Sequence, residues 1–144
     1  MDLKPHNLQQ FGQIKVGEIM IQDPLYITPN EKISTTELLM LRKNIGGLPV
    51  VSSRDEKQLL GIITQRDIRL AKFAMSIESQ TLVRDLMTSE PYVAKKTDTL
   101  KNILKKMFRF NIERLPVVNE QNQLVGLVLE RNILDKLAEF LINE

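Results

Sequence analysis

The chain repeats itself, and this internal repeat limits its fold more than any other feature of the sequence. When the sequence is shifted by 67 positions, residues 16–51 align with 83–118 without a gap, and eleven of the 36 aligned positions are identical. Average composition would give about two identities by chance. With two residues removed from the first turn, residues 58–61 also align with 123–126. The chain is therefore a tandem repeat.

Each repeat has the pattern of a β-α-β-β-α unit, because short apolar runs alternate with stretches of helical periodicity. The elements predicted in the first repeat are an extended piece at 25–28, a helix at 33–44, strands at 48–51 and 58–64, and a helix at 66–76. Gly46-Gly47 is expected to stop the first of these helices. The second repeat predicts the same elements and ends in a helix at 131–142. The N-terminal residues show no clear periodicity.

A single repeat of about 60 residues buries too little apolar surface to be stable alone. We therefore expect an α/β fold in which the two repeats pack with pseudo-twofold symmetry around a shared core, and the groove between them is a natural ligand site. The predicted organisation is an N-terminal extension at 1–15, repeat one at 16–76, a linker at 77–82 and repeat two at 83–144.

Composition argues against an enzyme. The chain has no cysteine and one histidine, which excludes thiolate nucleophiles, disulfides, a histidine triad and a multi-histidine metal site. Gly12 and Gly17 have the spacing of a phosphate-binding loop, but Glu18 stands where the loop needs lysine. The sequence thus predicts no catalytic residues, no catalytic cofactor and no metal.

Charge and hydropathy predict where the chain acts. Twenty Lys and Arg residues against eighteen Asp and Glu give a net charge of +2, too even for a dedicated nucleic-acid binder. No apolar run approaches the roughly 18 residues of a membrane span, and the first residues lack the pattern of a secretory signal. We expect a cytoplasmic protein without a membrane partner.

Three sequence motifs occur in the same order in both halves, at residues 16–20, 45–51 and 61–67 and again at 83–87, 112–118 and 126–132. On these motifs the chain resembles a tandem pair of CBS domains, the module named after cystathionine β-synthase and also called a Bateman module, of the stand-alone bacterial or archaeal type. The resemblance runs from about residue 16 to the C-terminus. It implies a regulatory sensor, since many such pairs bind adenosine derivatives in the cleft between the repeats.

The segment Thr64-Gln65-Arg66-Asp67 is the sharpest candidate site, because it joins a strand to a helix whose free N–H groups suit a phosphate. Thr64 offers a hydroxyl, Arg66 can meet the phosphate, and the Asp67 carboxylate can accept the ribose hydroxyls. The same T-x-x-D spacing also predicts a helix capping box. Both interpretations stay open from the sequence.

The second repeat lacks both groups, since Leu129 and Asn132 stand at the equivalent positions and the capping box is expected to be lost as well. We predict one competent and one degenerate site per chain. The resemblance adds Tyr26, Ile27 and Arg114 to the degenerate site.

The resemblance also implies that the other repeat completes the competent site. Thr88, Tyr92 and Val93 would line the adenine, and Ile112 and Glu113 would close the far wall, although Tyr92, Val93 and Ile112 also fit an ordinary core. Some family members hold phosphate with a basic residue where this chain has Gly47. This argues against tight triphosphate binding.

The sequence therefore predicts a signal-transduction module that binds an adenosine-containing ligand and responds by a change of conformation or of partner, an unknown downstream protein. AMP is favoured, and ADP, ATP and S-adenosylmethionine are the other candidates. The alternatives are a ligand-free dimerisation module and a nucleic-acid-binding accessory protein, the latter suggested by the basic stretch at 95–114.

The resemblance also implies apolar helix surface at the edge of the CBS pair, through which two modules form a homodimer related by a twofold axis. The residues expected to form it are Ile68, Leu70, Ala71, Phe73, Ala74, Ile133, Leu137, Phe140 and Leu141.

Overall fold

The computed structural model describes residues 5–78 and 80–143. Within these ranges the elements in chain order are α1 (Pro5–Gly12), α2 (Val16–Ile19), β1 (Ile21–Gln22), α3 (Ile33–Lys43), β2 (Gly47–Val51), β3 (Leu59–Thr64), α4 (Gln65–Ala74), α5 (Val83–Leu86), β4 (Thr88–Ser89), α6 (Leu100–Phe110), β5 (Arg114–Val118), β6 (Leu124–Leu129) and α7 (Glu130–Ile142). The mixture of helices with two small sheets confirms the predicted α/β class.

The chain divides into two compact units. Unit 1 comprises residues 1–24, 92–120 and 125–144, and unit 2 comprises residues 25–91 and 121–124. Unit 1 contains a three-stranded sheet in the order β1-β6-β5, and unit 2 contains one in the order β2-β3-β4. Each unit therefore has a sheet and helices of its own.

The two repeats exchange their first residues. β1 belongs to the first repeat but pairs antiparallel with β6 of the second, and β4 belongs to the second repeat but pairs antiparallel with β3 of the first. The same exchange puts Val16 in the core of unit 1 and Val83 in the core of unit 2. The boundaries of the two units therefore differ from the boundaries of the two repeats in the sequence.

Equivalent positions of the two repeats form the two cores. The matched buried pairs are Ile33 and Leu100, Met40 and Met107, Leu48 and Leu115, Val50 and Val117, Ile63 and Val128, and Ile68 and Ile133. Apolar residues at the same register in both copies bury the same faces, which is why a repeat in the sequence becomes a repeat in the packing.

The first long helix ends differently from the prediction. α3 stops at Lys43 because Asn44 adopts the left-handed conformation with φ 52°, and Gly47 is the first residue of β2. The stop predicted at Gly46-Gly47 was therefore wrong. Asn111 ends α6 in the same way with φ 53°. Asparagine tolerates this conformation better than most residues, and it stands at the equivalent position of both repeats.

The N-terminal extension contains a helix that its sequence did not reveal. α1 packs against α6 and α7, and Phe11 is only 7% exposed. The Phe11 ring meets the Phe140 ring edge-to-face, with centroids 5.6 Å apart. An eight-residue helix is too short to show a clear period, so its tertiary partner decides its position. Residues 1–4 of the predicted extension, Ser79 of the predicted linker and Glu144 lie outside the described residues.

Candidate functional site

A reciprocal pair of hydrogen bonds closes the N-terminus of α4. The Asp67 backbone N–H donates to Thr64 Oγ1 at 3.1 Å, and the Thr64 backbone N–H donates to Asp67 Oδ2 at 2.9 Å. This is the capping box that the T-x-x-D spacing predicts. Both side chains are therefore held in one conformation at the end of β3.

Backbone contacts with the preceding loop fix the helix end in place. The Gln65 backbone N–H donates to the carbonyl of Gly46 at 2.9 Å, and its side-chain amide donates to the carbonyl of Ile45 at 3.1 Å. Ile68 and Ala71 bury the inner face of α4 against unit 2. Because strand, loop and helix all constrain it, this end of α4 is a preorganised position for polar groups.

The capping box does not use all the polar capacity of the segment. Its two bonds engage Asp67 Oδ2 and the acceptor side of the Thr64 hydroxyl, while Asp67 Oδ1 and the Thr64 hydroxyl proton have no partner among the described residues. Arg66 points from the same turn into solvent. The cap and the ligand interpretation are therefore compatible: the site keeps a carboxylate acceptor, a hydroxyl donor and a cation.

Thr88 lies on the same face of the sheet as Thr64. In the antiparallel pairing of β3 with β4, Thr88 stands opposite Ile62, two residues before Thr64. Such a diagonal neighbour is about 7–8 Å away on one face. The structure thus brings four predicted ligand residues of unit 2, Thr64, Arg66, Asp67 and Thr88, to one end of its sheet.

The equivalent helix end in unit 1 has different chemistry. Leu129 contributes no hydroxyl, but its backbone N–H donates to Asn132 Oδ1 at 2.8 Å. The prediction that the second capping box is lost was therefore wrong for one of its two bonds. Because Oδ1 faces the backbone donor, the amide NH₂ of Asn132 takes the place of the free Asp67 oxygen. This end offers a donor where unit 2 offers an acceptor.

The other predicted residues of the competent site belong to unit 1. Tyr92 is 48% exposed and stacks on Phe110 with ring centroids 4.0 Å apart, so it is not a core residue. The carbonyl of Val93 accepts from the Lys106 ammonium at 2.7 Å. Ile112 packs against the core of unit 1, as the alternative interpretation held.

Glu113 and Arg114 form a contact of their own in unit 1. Glu113 is exposed and lies 3.6 Å from the Arg114 guanidinium, and its carbonyl accepts from the backbone of Glu130 at the start of α7. In unit 2, Ile27 is buried and forms an isolated parallel β-bridge with Val50. Tyr26 lies beneath the Lys57 ammonium at 5.7 Å. The residues predicted for the degenerate site are therefore divided between the units.

Two neighbours of these residues escaped the sequence prediction. Phe110 and Lys106 lie in the basic stretch at 95–114, and the sequence assigned neither of them to the site. Phe110 stacks on Tyr92, and the Lys106 ammonium donates to the Val93 carbonyl. No local pattern links Lys106 with Val93 or Phe110 with Tyr92, because the pairs meet only when α6 packs on the segment before it.

The predicted dimer surface requires a correction. Ile68, Ala71 and Ile133 are buried within their own units, and Leu137 and Phe140 pack against the core of unit 1. Leu70, Phe73, Ala74 and Leu141 are exposed, with Phe73 at 94%. Four of the nine predicted residues therefore remain free to meet a partner.

Over residues 5–78 and 80–143, no cluster of three or more Asp, Glu or His side chains is arranged to hold a metal ion. In the same part of the chain, no helix has the length and apolar character needed to cross a membrane.

The model of the CBS domain family matches residues 16–73 and 83–139. The chain belongs to the CBS domain family. One matched segment lies within each repeat, and the chain is a tandem CBS pair.

Known proteins support this assignment. Inosine-5'-monophosphate dehydrogenase of Bacillus subtilis is 33% identical over 135 residues, which cover 92% of this chain and 26% of the enzyme. The CBS pair thus spans about a quarter of the length of that relative. A protein ascribed to acetoin utilization in Vibrio cholerae superposes with a TM-score of 0.79 at 26% identity, covering 90% of this chain and 93% of that one.

A second solved structure contains ligands. The CBS domain pair of protein MJ0100, in complex with 5'-methylthioadenosine and S-adenosyl-L-methionine, superposes with a TM-score of 0.76 at 26% identity. The match covers 87% of this chain and 96% of that one.

Proposed function

We propose that this CBS pair is a regulatory module that binds one adenosine-containing ligand at the N-terminus of α4, with AMP as the first candidate. The observation that carries the proposal is the free Asp67 carboxylate oxygen beside the Thr64 hydroxyl proton. A carboxylate can accept both ribose hydroxyls, and the positive end of the α4 dipole with the Thr64 hydroxyl proton suits one phosphate. Thr88, Tyr92, Val93, Ile112 and Glu113 are the remaining proposed ligand residues.

The charges near the segment favour a ligand with few phosphates. Arg66 is the only cation in the Thr64–Asp67 segment, and Gly47 contributes no side chain where some relatives place a basic residue. A triphosphate would therefore keep most of its charge without a cation partner. The ligands of the MJ0100 pair carry no phosphate, which makes S-adenosylmethionine the second candidate.

The proposed output is a change of conformation or of partner rather than catalysis. We propose that the chain is not an enzyme, that it acts in the cytoplasm, and that it passes the ligand signal to another protein. The similarity to inosine-5'-monophosphate dehydrogenase supports a regulatory role. The match covers only about a quarter of that enzyme, and in this chain it includes the two CBS domains.

Titration calorimetry with adenosine, AMP, ADP, ATP and S-adenosylmethionine tests the proposal. We expect one site per chain, because Asn132 turns its amide outward where Asp67 presents an oxygen. Asp67→Asn should keep the backbone cap, as Asn132 does, and should weaken binding about ten- to a hundredfold through the lost charged hydrogen bonds. Asn132→Ala is the matched control, which should cost stability without changing nucleotide affinity.

Ribose discrimination separates a ligand group from a helix cap. 2'-Deoxy and 3'-deoxy ligands should lose less affinity on Asp67→Asn than on the wild type. Unchanged discrimination would make the segment a cap only. No heat with any of the five compounds, together with an unchanged melting temperature, would support the ligand-free alternative.

We also propose that the CBS pair forms a homodimer through the exposed apolar residues of α4. Phe73 is almost fully exposed and Leu70 lies one turn before it, an arrangement that favours burial against another surface. Light scattering should give a dimer at tens of micromolar, and Phe73→Asp should shift it to a monomer. A monomeric wild type would contradict the proposal, and Leu41→Asp on exposed α3 is the control that should leave the dimer intact.

A further inference from the structure

A groove that the nucleotide proposal does not use lies between α1 and α6 in unit 1. Its volume is about 380 Å³, within the range of small-molecule sites. Leu8, Phe11 and Leu104 form its apolar walls, and Gly12 keeps one side free of a side chain. The groove can therefore accept an apolar chain.

The polar groups at the groove are all uncharged or cationic. Lys101 borders the groove from the exposed face of α6, and Gln9 and Gln13 are the other polar residues along it. Lys105 stands one helical turn beyond Lys101 on the exposed face of α6. Within the described residues neither ammonium has an acidic partner. A ligand that places a single negative charge here would meet its complement.

Unit 2 provides an internal comparison, because α3 and α4 border a groove of about 460 Å³ there. Glu37 and Lys72 line that groove and form an ion pair of 2.7 Å. They occupy the positions that Leu104 and Leu137 hold in unit 1. In unit 2, the Lys72 ammonium at the groove is therefore already paired with a carboxylate. The same fold thus forms without an apolar groove beside an unpaired cation, and this combination is particular to unit 1.

We propose that the α1–α6 groove binds a free medium-chain fatty carboxylate. The carboxylate pairs with the Lys101 ammonium at the edge of the groove, and the acyl chain lies on Phe11 and Leu104. At about 30 Å³ for each non-hydrogen atom, the volume that a water molecule takes up in the liquid, the groove holds about twelve such atoms, which are the ten carbons and two oxygens of decanoate. The charge, the apolar walls and the volume select this class together, because none of them alone distinguishes it from a neutral lipid or a small anion.

Calorimetry with hexanoate, octanoate, decanoate and dodecanoate below their micellar concentrations tests the proposal. Affinity should rise about fourfold per added methylene, from about 0.8 kcal/mol of burial, and level off near ten carbons. Decanol should bind about two- to fivefold more weakly than decanoate, because an ion pair with an exposed lysine is weak. Lys101→Met should remove the preference for decanoate over decanol, and Leu104→Gln should weaken both ligands.

Matched variants distinguish the groove from nonspecific adsorption. Lys96→Met removes an exposed cation outside the groove, and Leu41→Gln removes an exposed leucine of α3, so decanoate affinity should not change in either. Equal losses in these controls would overturn the proposal. So would a rise in affinity without a chain-length limit, or binding to phosphatidylglycerol vesicles but not to free decanoate. Concentration-dependent self-association lost in Leu104→Gln would instead assign the groove to a second copy of the chain.

Discussion

Replacing Gly61 with alanine tests the close approach that the strand exchange imposes. Gly61 lies in β3 opposite Ser89 of β4. A Cβ added there would lie 2.5 Å from the carbonyl oxygen of Thr88 and 3.0 Å from the sulfur of Met87. Ordinary contacts need almost 1 Å more, and a backbone oxygen cannot turn aside as a side chain can. Gly61→Ala must therefore displace β4.

The structure limits the cost of this displacement. β4 is paired with β3 through two residue pairs, so losing about two hydrogen bonds at about 1 kcal/mol each sets the upper range. Alanine recovers about 0.5–1 kcal/mol because glycine loses more backbone freedom on folding. We expect a net loss of up to about 1–1.5 kcal/mol, and a melting temperature lower by about 3–6 °C for a chain of this size.

Thermal and urea unfolding of Gly61→Ala and two controls measure the effect. Gly12→Ala adds a Cβ in ordinary contact 3.5 Å from Lys101 Cβ, so it should not destabilise. Gly126→Ala meets mainly the Met20 side chain, which can move, so its loss should be smaller than that of Gly61→Ala. Nucleotide affinity should fall for Gly61→Ala alone, since Thr88 moves. A Gly61→Ala protein as stable as the wild type would refute the close approach and the reasoning built on it.

Three further predictions concern local contacts. Asn111→Ala should lose about 1 kcal/mol by urea unfolding because of its left-handed backbone, while Asn111→Gly should stay within a few tenths. Phe11→Ala should speed amide exchange throughout α1, because that helix loses its buried ring; unchanged exchange would show that other contacts hold it. A double-mutant cycle with Glu37→Gln and Lys72→Met should give a coupling below about 1 kcal/mol, since both side chains are partly exposed; a larger value would contradict this.

Periodic patterns predicted most of the helices and strands. Ile33, Met40 and Leu48 and their equivalents one repeat later are buried as their positions in the two copies predict. Such elements follow from the sequence because many residues in each impose the same periodicity. The difference between Asp67 and Asn132 was also visible, because the two residue types differ in charge wherever they lie.

The partner of each short strand was decided only by the tertiary structure. Two residues of β1 or β4 carry no pattern that names the strand they join, and the repeat in the sequence favours pairing within one copy. Packing instead puts Val16 in the core of unit 1 and Val83 in the core of unit 2. The repeat is therefore a property of the sequence, and the exchange is a property of the fold.

The chemistry at the helix ends follows the same division. The sequence determined that Thr64 and Asp67 stand three residues apart at a helix start, a spacing that allows a cap, a ligand site or both. Only the folded structure determined that the cap uses Oδ2 and leaves Oδ1 free, and that Asn132 turns its oxygen inward. The position of a single oxygen depends on backbone donors that adjacent strands, loops and helices hold in place, and these donors exist as a set only after the chain has folded.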